Sequence, residues 1–364
     1  MGFVLTEEQT MLKDAAADFM AGRLPVTALR DTRDKAPDAR FDGATWKDMA
    51  EMGWAGVIVP EAHGGSGFGV QGLGVILEQQ GRKLATTPVL QTALIGASAY
   101  ELMGSEAQSA EWLPKIASGE KTFAFAVDEG AHHAPFGTKA RVENGTLSGK
   151  KVFVHDGAGA DQFLVLAKDG DALGLYRVAA DADGVDVLAL DTVDSRPAAD
   201  IVFDGAVAER LERSSEDAIE ALLDRARIGV AAELLGLAEA AFEMTGDYLR
   251  TRTQFGQLIG SFQALQHRAA IMFSELELTR SCVTAALSAV DDGANDIREL
   301  ASLAKARAAE TAHLVTNETV QMHGGIGMTD AHDSGLYLKR ARVLEHLYGG
   351  ETFHRDRYAK LNAY

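Results

Sequence analysis

Two glycine-bearing segments in the last third of this 364-residue chain carry residue types suited to holding an anionic, ring-containing ligand. The first runs from Tyr248 to Gln263 and contains Arg252-Thr253-Gln254-Phe255-Gly256. An arginine there can fork onto a phosphate, and Phe255 can lie against a planar ring. A helix end whose cation complements the helix dipole would account for the same residues. The second is Gln321-Met322-His323-Gly324-Gly325-Ile326-Gly327. Consecutive glycines let backbone N–H groups approach a pyrophosphate, and an ordinary glycine-rich helix stop is the plainer reading. His323 has no second histidine or cysteine nearby at ligand spacing, so it reads as structural and no metal site is expected.

These segments need elements to position them. From Thr6 to about Gly119 the pattern is helical: Thr6, Glu8 and Gln9 resemble a helix start, and Met11, Ala15, Phe19 and Met20 recur at helical spacing. A second helical stretch surrounds Trp46, Met49 and Met52, followed by the glycine-rich run Val57–Gly67, either a working loop or a turn. Between about Lys121 and Phe203 short alternating runs such as 122–127 and 162–166 sit between Asn144-Gly145, Ser148-Gly149, Asp169-Gly170 and Asp204-Gly205, which predicts an antiparallel β domain. From Ser214 onward Ala- and Leu-rich helical segments return, broken at 256–260, 291–295 and 324–327. The expected fold is a segregated α+β chain with an N-terminal helical domain (1–118), a middle antiparallel β domain (119–211) and a C-terminal helical bundle (212–364).

Composition narrows the function. Lys and Arg total 35 against 53 Asp and Glu, a net charge of −18, which argues against nonspecific binding to nucleic acid or an anionic membrane. The single cysteine, Cys282, excludes an intramolecular disulfide framework and fits a reducing compartment. No run approaches a membrane span, and the N-terminus lacks a basic region leading into an apolar one. A cytoplasmic location is expected.

Together, the two glycine-bearing segments and the helix–strand–helix order resemble the FAD-dependent acyl-CoA dehydrogenase family over essentially the whole chain. The resemblance implies that the C-terminal domain is a four-helix bundle. It also implies that Arg252, Gln254, Phe255, Gln263, Gln321, Gly324 and Gly325 hold the adenine-diphosphate half of FAD across a subunit interface. Asp224 and Arg227 match family residues near the coenzyme A chain, although a surface ion pair three residues apart on one helix would suit them too. In the family a carboxylate removes the α-proton of an acyl thioester while flavin takes the β-hydride. The usual seat is the Glu of Tyr-Glu-Gly-Thr; here the stretch reads Tyr348-Gly349-Gly350-Glu351, with Gly349 at the Glu position and Glu351 two residues late. The alternative seat, beside an upstream Arg, is Ala226.

The middle domain departs as well. Where the family has Thr-Glu-Pro and Trp-Ile-Thr-Asn against the flavin ring, this chain has Asp128-Glu129-Gly130 and Phe153-Val154-His155-Asp156, and Gly-Ser-Asp is missing. Altered ring-side contacts beside preserved neighbour-reaching ones suggest a subunit that completes a partner's FAD site in a heteromer, such as a heterotetramer with a second acyl-CoA dehydrogenase subunit. The competing readings are a homo-oligomeric dehydrogenase using Glu351 or Asp156 as a displaced base, a non-catalytic structural subunit, and an oxygen-using flavoprotein. The family implies electron-transfer flavoprotein as the acceptor and a role in fatty acid or steroid side-chain metabolism.

Overall fold

A computed structural model describes residues 4–35 and 41–364; Met1–Phe3, which open the N-terminal stretch discussed above, lie outside them. The helical part comprises α1 (Glu7–Arg23), α2 (Val26–Lys35), α3 (Gly43–Glu51), α4 (Gly69–Lys83), α5 (Ala97–Met103) and α6 (Glu106–Ala117). Thr6 starts α1 with a capping box: its hydroxyl accepts the Gln9 N–H at 3.2 Å while the Gln9 side chain accepts the Thr6 N–H at 3.0 Å. Two otherwise orphaned backbone donors are satisfied this way. Ser105 and Gln108 repeat the device at α6. The run 57–67 is a tight turn: a Cβ on Gly65 would lie 2.0 Å from the Val59 carbonyl oxygen, so only glycine fits.

The strands are β1 (Phe123–Ala126), β2 (Arg141–Glu143), β3 (Thr146–His155), β4 (Gln162–Asp169), β5 (Ala172–Ala179), β6 (Val185–Leu190), β7 (Ala198–Val207) and β8 (Glu209–Arg210), and they form one sheet in the order β6-β7-β3-β2-β4-β5-β8 with β1 beside β4. Most pairs are antiparallel, but β1 runs parallel to β4, and β2 meets β4 in parallel at Arg141–Lys168. The sheet is therefore mixed; alternation and turn residues specify hairpins but not how a strand arriving from a helical segment will pair. Asn144-Gly145 makes the hairpin turn β2–β3, and Gly170 with Asp171, directly after the paired Asp169, makes that of β4–β5. Ser148-Gly149 and Asp204-Gly205 do not turn the chain: they face each other across a register shift between β3 and β7, with Gly149 and Gly205 at positive φ. A bulge needs the same glycine freedom as a turn. Phe163, Val165, Ile201 and Phe203 fill the sheet's buried face, each fully buried side chain contributing roughly 1.5–3 kcal/mol.

The chain ends in α7 (Glu216–Thr251), the two-residue strands β9 (Thr253–Gln254) and β10 (Gln257–Leu258), α8 (Gln263–Asp291), α9 (Ile297–His323), α10 (Ser334–Leu344) and α11 (Glu351–Leu361). The described residues group into two compact units, one of 4–31, 74–85 and 227–364, the other of 32–35, 41–73 and 86–226. In the first, the later half of α4 crosses α7 closely: a Cβ on Gly81 would be 2.0 Å from the Glu233 carbonyl oxygen and one on Gly236 1.9 Å from that of Glu78. Helix α9 packs against α8, α10 and α11, and Thr245 of α7 bonds Thr319 of α9 at 2.9 Å. Among the described residues no helix is long and apolar enough to cross a membrane.

Candidate active site

The two glycine-bearing segments stand at the ends of long helices. After α7, Phe255 and Gly256 form the two-residue turn of the β9–β10 hairpin, with φ of 55° and 81°. A turn with two positive φ values suits Asn-Gly; a phenylalanine there costs of order 1–2 kcal/mol. Phe255 is nevertheless 88% exposed. The backbone is fixed by the Arg252 N–H to the Tyr248 carbonyl (2.8 Å) and the Ile259 N–H to the Arg252 carbonyl (2.9 Å). The side chains of Arg252, Gln254, Gln263 and Gln321 are all exposed and have no hydrogen-bond partner among the described residues. Gly324 and Gly325, past the end of α9, are exposed as well, and a Cβ at either would meet nothing within 4 Å. A free guanidinium, three free amides, an open glycine pair and an aromatic ring on a strained turn suit a phosphate- and ring-bearing ligand. Within this unit the two segments are joined by Tyr248, whose ring lies 4.4 Å from that of His323.

The base seat differs. The loop between α10 and α11 turns through Tyr348 (φ 57°) and Gly349 (φ 106°), and buried donors grip its carbonyls. Lys305 donates to the Glu345 and Gly349 carbonyls at 2.9 and 3.0 Å, and Arg227 to that of Tyr348 at 3.4 Å. The His354 ring nitrogen lies 3.1 Å from the Tyr348 oxygen. Burial pushes the Lys305 amine down to about 7. A Cβ on Gly349 would stand 2.5 Å from Phe353 Cδ1 and 2.9 Å from His354 Nε2, so no side chain enters that position without moving both rings. Ala226, at the alternative seat, is wholly buried. Glu351 opens α11 with its side chain 39% exposed, paired to Arg355 at 3.0 Å; Arg355 also holds Glu310 at 3.0 Å. This is a surface ion-pair arrangement.

Asp224 and Arg227 have no exposed surface, which overturns the surface-pair alternative. The charges sit inside the helical packing because α7 buries nearly its whole girth along this stretch, a property that spacing on one helix does not reveal. The Arg227 guanidinium also lies 5.6 Å from the Phe353 ring centre.

In the other unit, the stretches that the family resemblance would put beside a flavin ring have partners of their own. Phe153 sits in a second register shift of β3 against β7 at φ 49°, its side chain 42% exposed and its N–H held by Asp200 at 3.0 Å. Asp156, also at positive φ, is forked by Arg196 at 3.1 and 3.0 Å, and Arg196 donates to the Thr87 carbonyl at 3.0 Å; both side chains are buried. Nearby in sequence, Glu129 accepts from Lys151 (2.8 Å), Thr138 and the Ala140 N–H (2.9 Å). Burial alone would raise the Glu129 carboxyl, but these bonds outweigh it and hold it at about 2. His133 lies 2.9 Å from Asp128. Arg196 and Lys151 went unnoticed in the sequence because their partners lie 40 and 22 residues away.

Comparison with known proteins fixes the family. Residues 216–361 match "Acyl-CoA dehydrogenase, C-terminal domain" and 6–120 match "Acyl-CoA dehydrogenase, N-terminal domain". The chain belongs to the acyl-CoA dehydrogenase family. It is thus an oxidoreductase of the type acting on acyl-CoA CH–CH bonds. It is 30% identical to the acyl-CoA dehydrogenase FadE27 of Mycobacterium tuberculosis over 86% of this chain and 87% of that one. Two solved structures share the fold at a TM-score of 0.91: a variant of the Tcur3481–Tcur3483 steroid acyl-CoA dehydrogenase (32% identity, 98% of each chain) and the ChsE4–ChsE5 complex from M. tuberculosis (28% identity, 100% of this chain and 99% of that one).

Proposed function

We propose that this chain is the subunit of a heteromeric acyl-CoA dehydrogenase that completes its partner's FAD site, while the partner supplies the catalytic base. The observation that carries this reading is the Gly349 seat, where the φ of 106° and the rings of Phe353 and His354 leave no room for a carboxylate side chain. The buried Asp156–Arg196 pair supports it, since Asp156, in a stretch that the family resemblance puts at the ring side, is already committed to Arg196. Arg252, Gln254, Phe255, Gln263, Gln321, Gly324 and Gly325 would hold the adenine-diphosphate half, the guanidinium on the pyrophosphate and Phe255 against a ring. Bound FAD supplies the hydride acceptor for α,β-dehydrogenation of the acyl thioester. This chain's own residues bind and orient that group; its ring-side residues do not fit the flavin ring.

Assembly would proceed through the C-terminal helices, where Ile271, Phe273 and Leu278 on α8, with Phe255 in the hairpin and Met328 after α9, leave large apolar side chains exposed. Two of the structural relatives are named as two-component assemblies, and one as a steroid enzyme; a steroid side-chain acyl-CoA is the proposed substrate, with fatty acyl-CoA as the broader class. Electron-transfer flavoprotein would take the electrons. Glu351 acts as an ion-pair carboxylate, and Asp224 and Arg227, each buried on α7, match family residues near the coenzyme A chain. The test is purification with and without a base-carrying acyl-CoA dehydrogenase subunit. The chain alone should be colourless or weakly flavinated, and the pair yellow and bleached anaerobically by acyl-CoA. A yellow homo-oligomer bleached by acyl-CoA without a partner would overturn the proposal.

A further inference from the structure

Three rings connect the ends of α7 and α9. The Tyr248 and His323 ring centres are 4.4 Å apart with planes 30° from parallel, and His323 and His332 are 4.3 Å apart at 44°. Each ring is tied to a ligand-holding segment. The Tyr248 carbonyl accepts the Arg252 N–H at 2.8 Å, one turn before the hairpin. His323 directly precedes Gly324-Gly325 and is itself buried, with Nδ1 2.7 Å from the Thr319 carbonyl. A carbonyl only accepts, so the proton is on Nδ1; burial keeps the ring's pKa below its ordinary value. His332 Nδ1 accepts the Ser334 N–H at 3.2 Å and the Ser334 hydroxyl donates to the Gly327 carbonyl at 3.2 Å, closing the loop that follows the glycines.

We propose that Tyr248, His323 and His332 form a clasp that sets the position of the Arg252 hairpin relative to the Gly324-Gly325 turn, making His323 a positioning residue for FAD although it need not touch it. The inference rests on the reading that both segments hold FAD. The hairpin pairs only two residues per strand and the two glycines carry no side chain to pack, so contacts outside each segment add to what its own bonds hold. A ligand spanning both segments would have to order them on binding, and a preformed clasp removes that cost. Neither capping nor metal binding explains why three rings should stack here; holding two segments in register does.

The test uses the full chain assembled with its partner, FAD as the probe, and Arg252→Ala as the reference. His323→Ala removes two ring contacts and should raise the FAD dissociation constant about tenfold. His323→Phe keeps the rings but lacks the Thr319 bond, and should restore affinity to within about threefold. In the free chain, hydrogen exchange reads the clasp without flavin: His323→Ala should speed exchange in 252–259 and 324–334 together. Faster exchange in 324–334 alone, or His323→Phe no better than His323→Ala, overturns the clasp. If Arg252→Ala leaves FAD affinity unchanged, the cofactor reading fails, while exchange still decides the clasp. Should His323→Ala not fold, Tyr248→Leu against Tyr248→Phe gives the same comparison.

Discussion

Placing a carboxylate back at the family's base position is the sharpest perturbation available. Gly349→Glu puts an L-residue at φ 106°, which costs of order 1–3 kcal/mol. Its Cβ also arrives 2.5 Å from Phe353 Cδ1 and 2.9 Å from His354 Nε2; overpacking of this kind costs about 1–3 kcal/mol more. Moving His354 would disturb its contact with the Tyr348 carbonyl. The sum, roughly 2–6 kcal/mol, is a large share of the 5–15 kcal/mol that ordinarily separates folded from unfolded. Thermal unfolding should fall by about 5–20 °C, at roughly 2–4 °C per kcal/mol for a unit of this size. Gly349→Ala should incur most of that loss, because Cβ and φ carry it. Neither variant should let acyl-CoA bleach flavin in the absence of a partner. A Gly349→Glu protein that melts like the parent and reduces its own flavin with acyl-CoA would refute the reasoning at its root.

Other outcomes follow from the same geometry. Phe255→Gly relieves an unfavourable φ while removing a side chain with little packing in its own chain, so the melting temperature should hold or rise slightly by calorimetry, whereas flavin retention in the assembled enzyme should fall at least tenfold. Lys151→Met leaves Glu129 and the Val127 carbonyl without their buried donor and should cost about 3–5 kcal/mol in urea unfolding. In the parent, Glu129 has its folded pKa depressed, so its stabilising contribution is complete above the unfolded value near 4.5 and disappears as pH falls toward about 2; acid titration of Glu129→Gln should lack that component. Glu351→Gln, breaking a half-exposed pair, should leave flavin reduction by the assembled enzyme within about threefold.

The parts of this chain that could be read from sequence are those whose partners are close by. Thr6 and Gln9 cap α1 three residues apart, Asn144-Gly145 turns a hairpin, and the breaks near 256 and 324 end long helices because glycine reaches conformations other residues avoid. The family followed from two such local segments in the right order of elements. What escaped depends on distant partners. Nothing near Asp156 announces Arg196, nothing near Glu129 announces Lys151, and the spacing of Asp224 and Arg227 is the same whether the helix face is wet or buried. Glycine pairs also hide their use: Ser148-Gly149 and Asp204-Gly205 have the composition of turns but lie on the two sides of one register shift between β3 and β7.

Satisfaction of polar groups separates the two kinds of site more clearly than residue identity does. A polar group whose bonding capacity is taken by an internal partner has little left to offer a ligand, whereas one that faces solvent exchanges water for it. At the stretches that the family resemblance would put at the ring side and the base seat this chain has made that commitment: Arg196 forks Asp156, Lys151, Thr138 and the Lys139 and Ala140 N–H groups donate to Glu129, and Arg227 donates to the Tyr348 carbonyl. At 252–263 and 321–325 the reverse holds, with Arg252, Gln254, Gln263 and Gln321 spending no bonds internally and Phe255 held outward on a strained turn. In solvent those donors cost nothing to leave open, whereas the strain at Phe255 is a real cost, offset within the chain by an edge-to-face contact with Phe262 at 6.1 Å and open to further offset by an external contact. The asymmetry supports a chain that keeps its binding capacity for a site lying partly on another subunit.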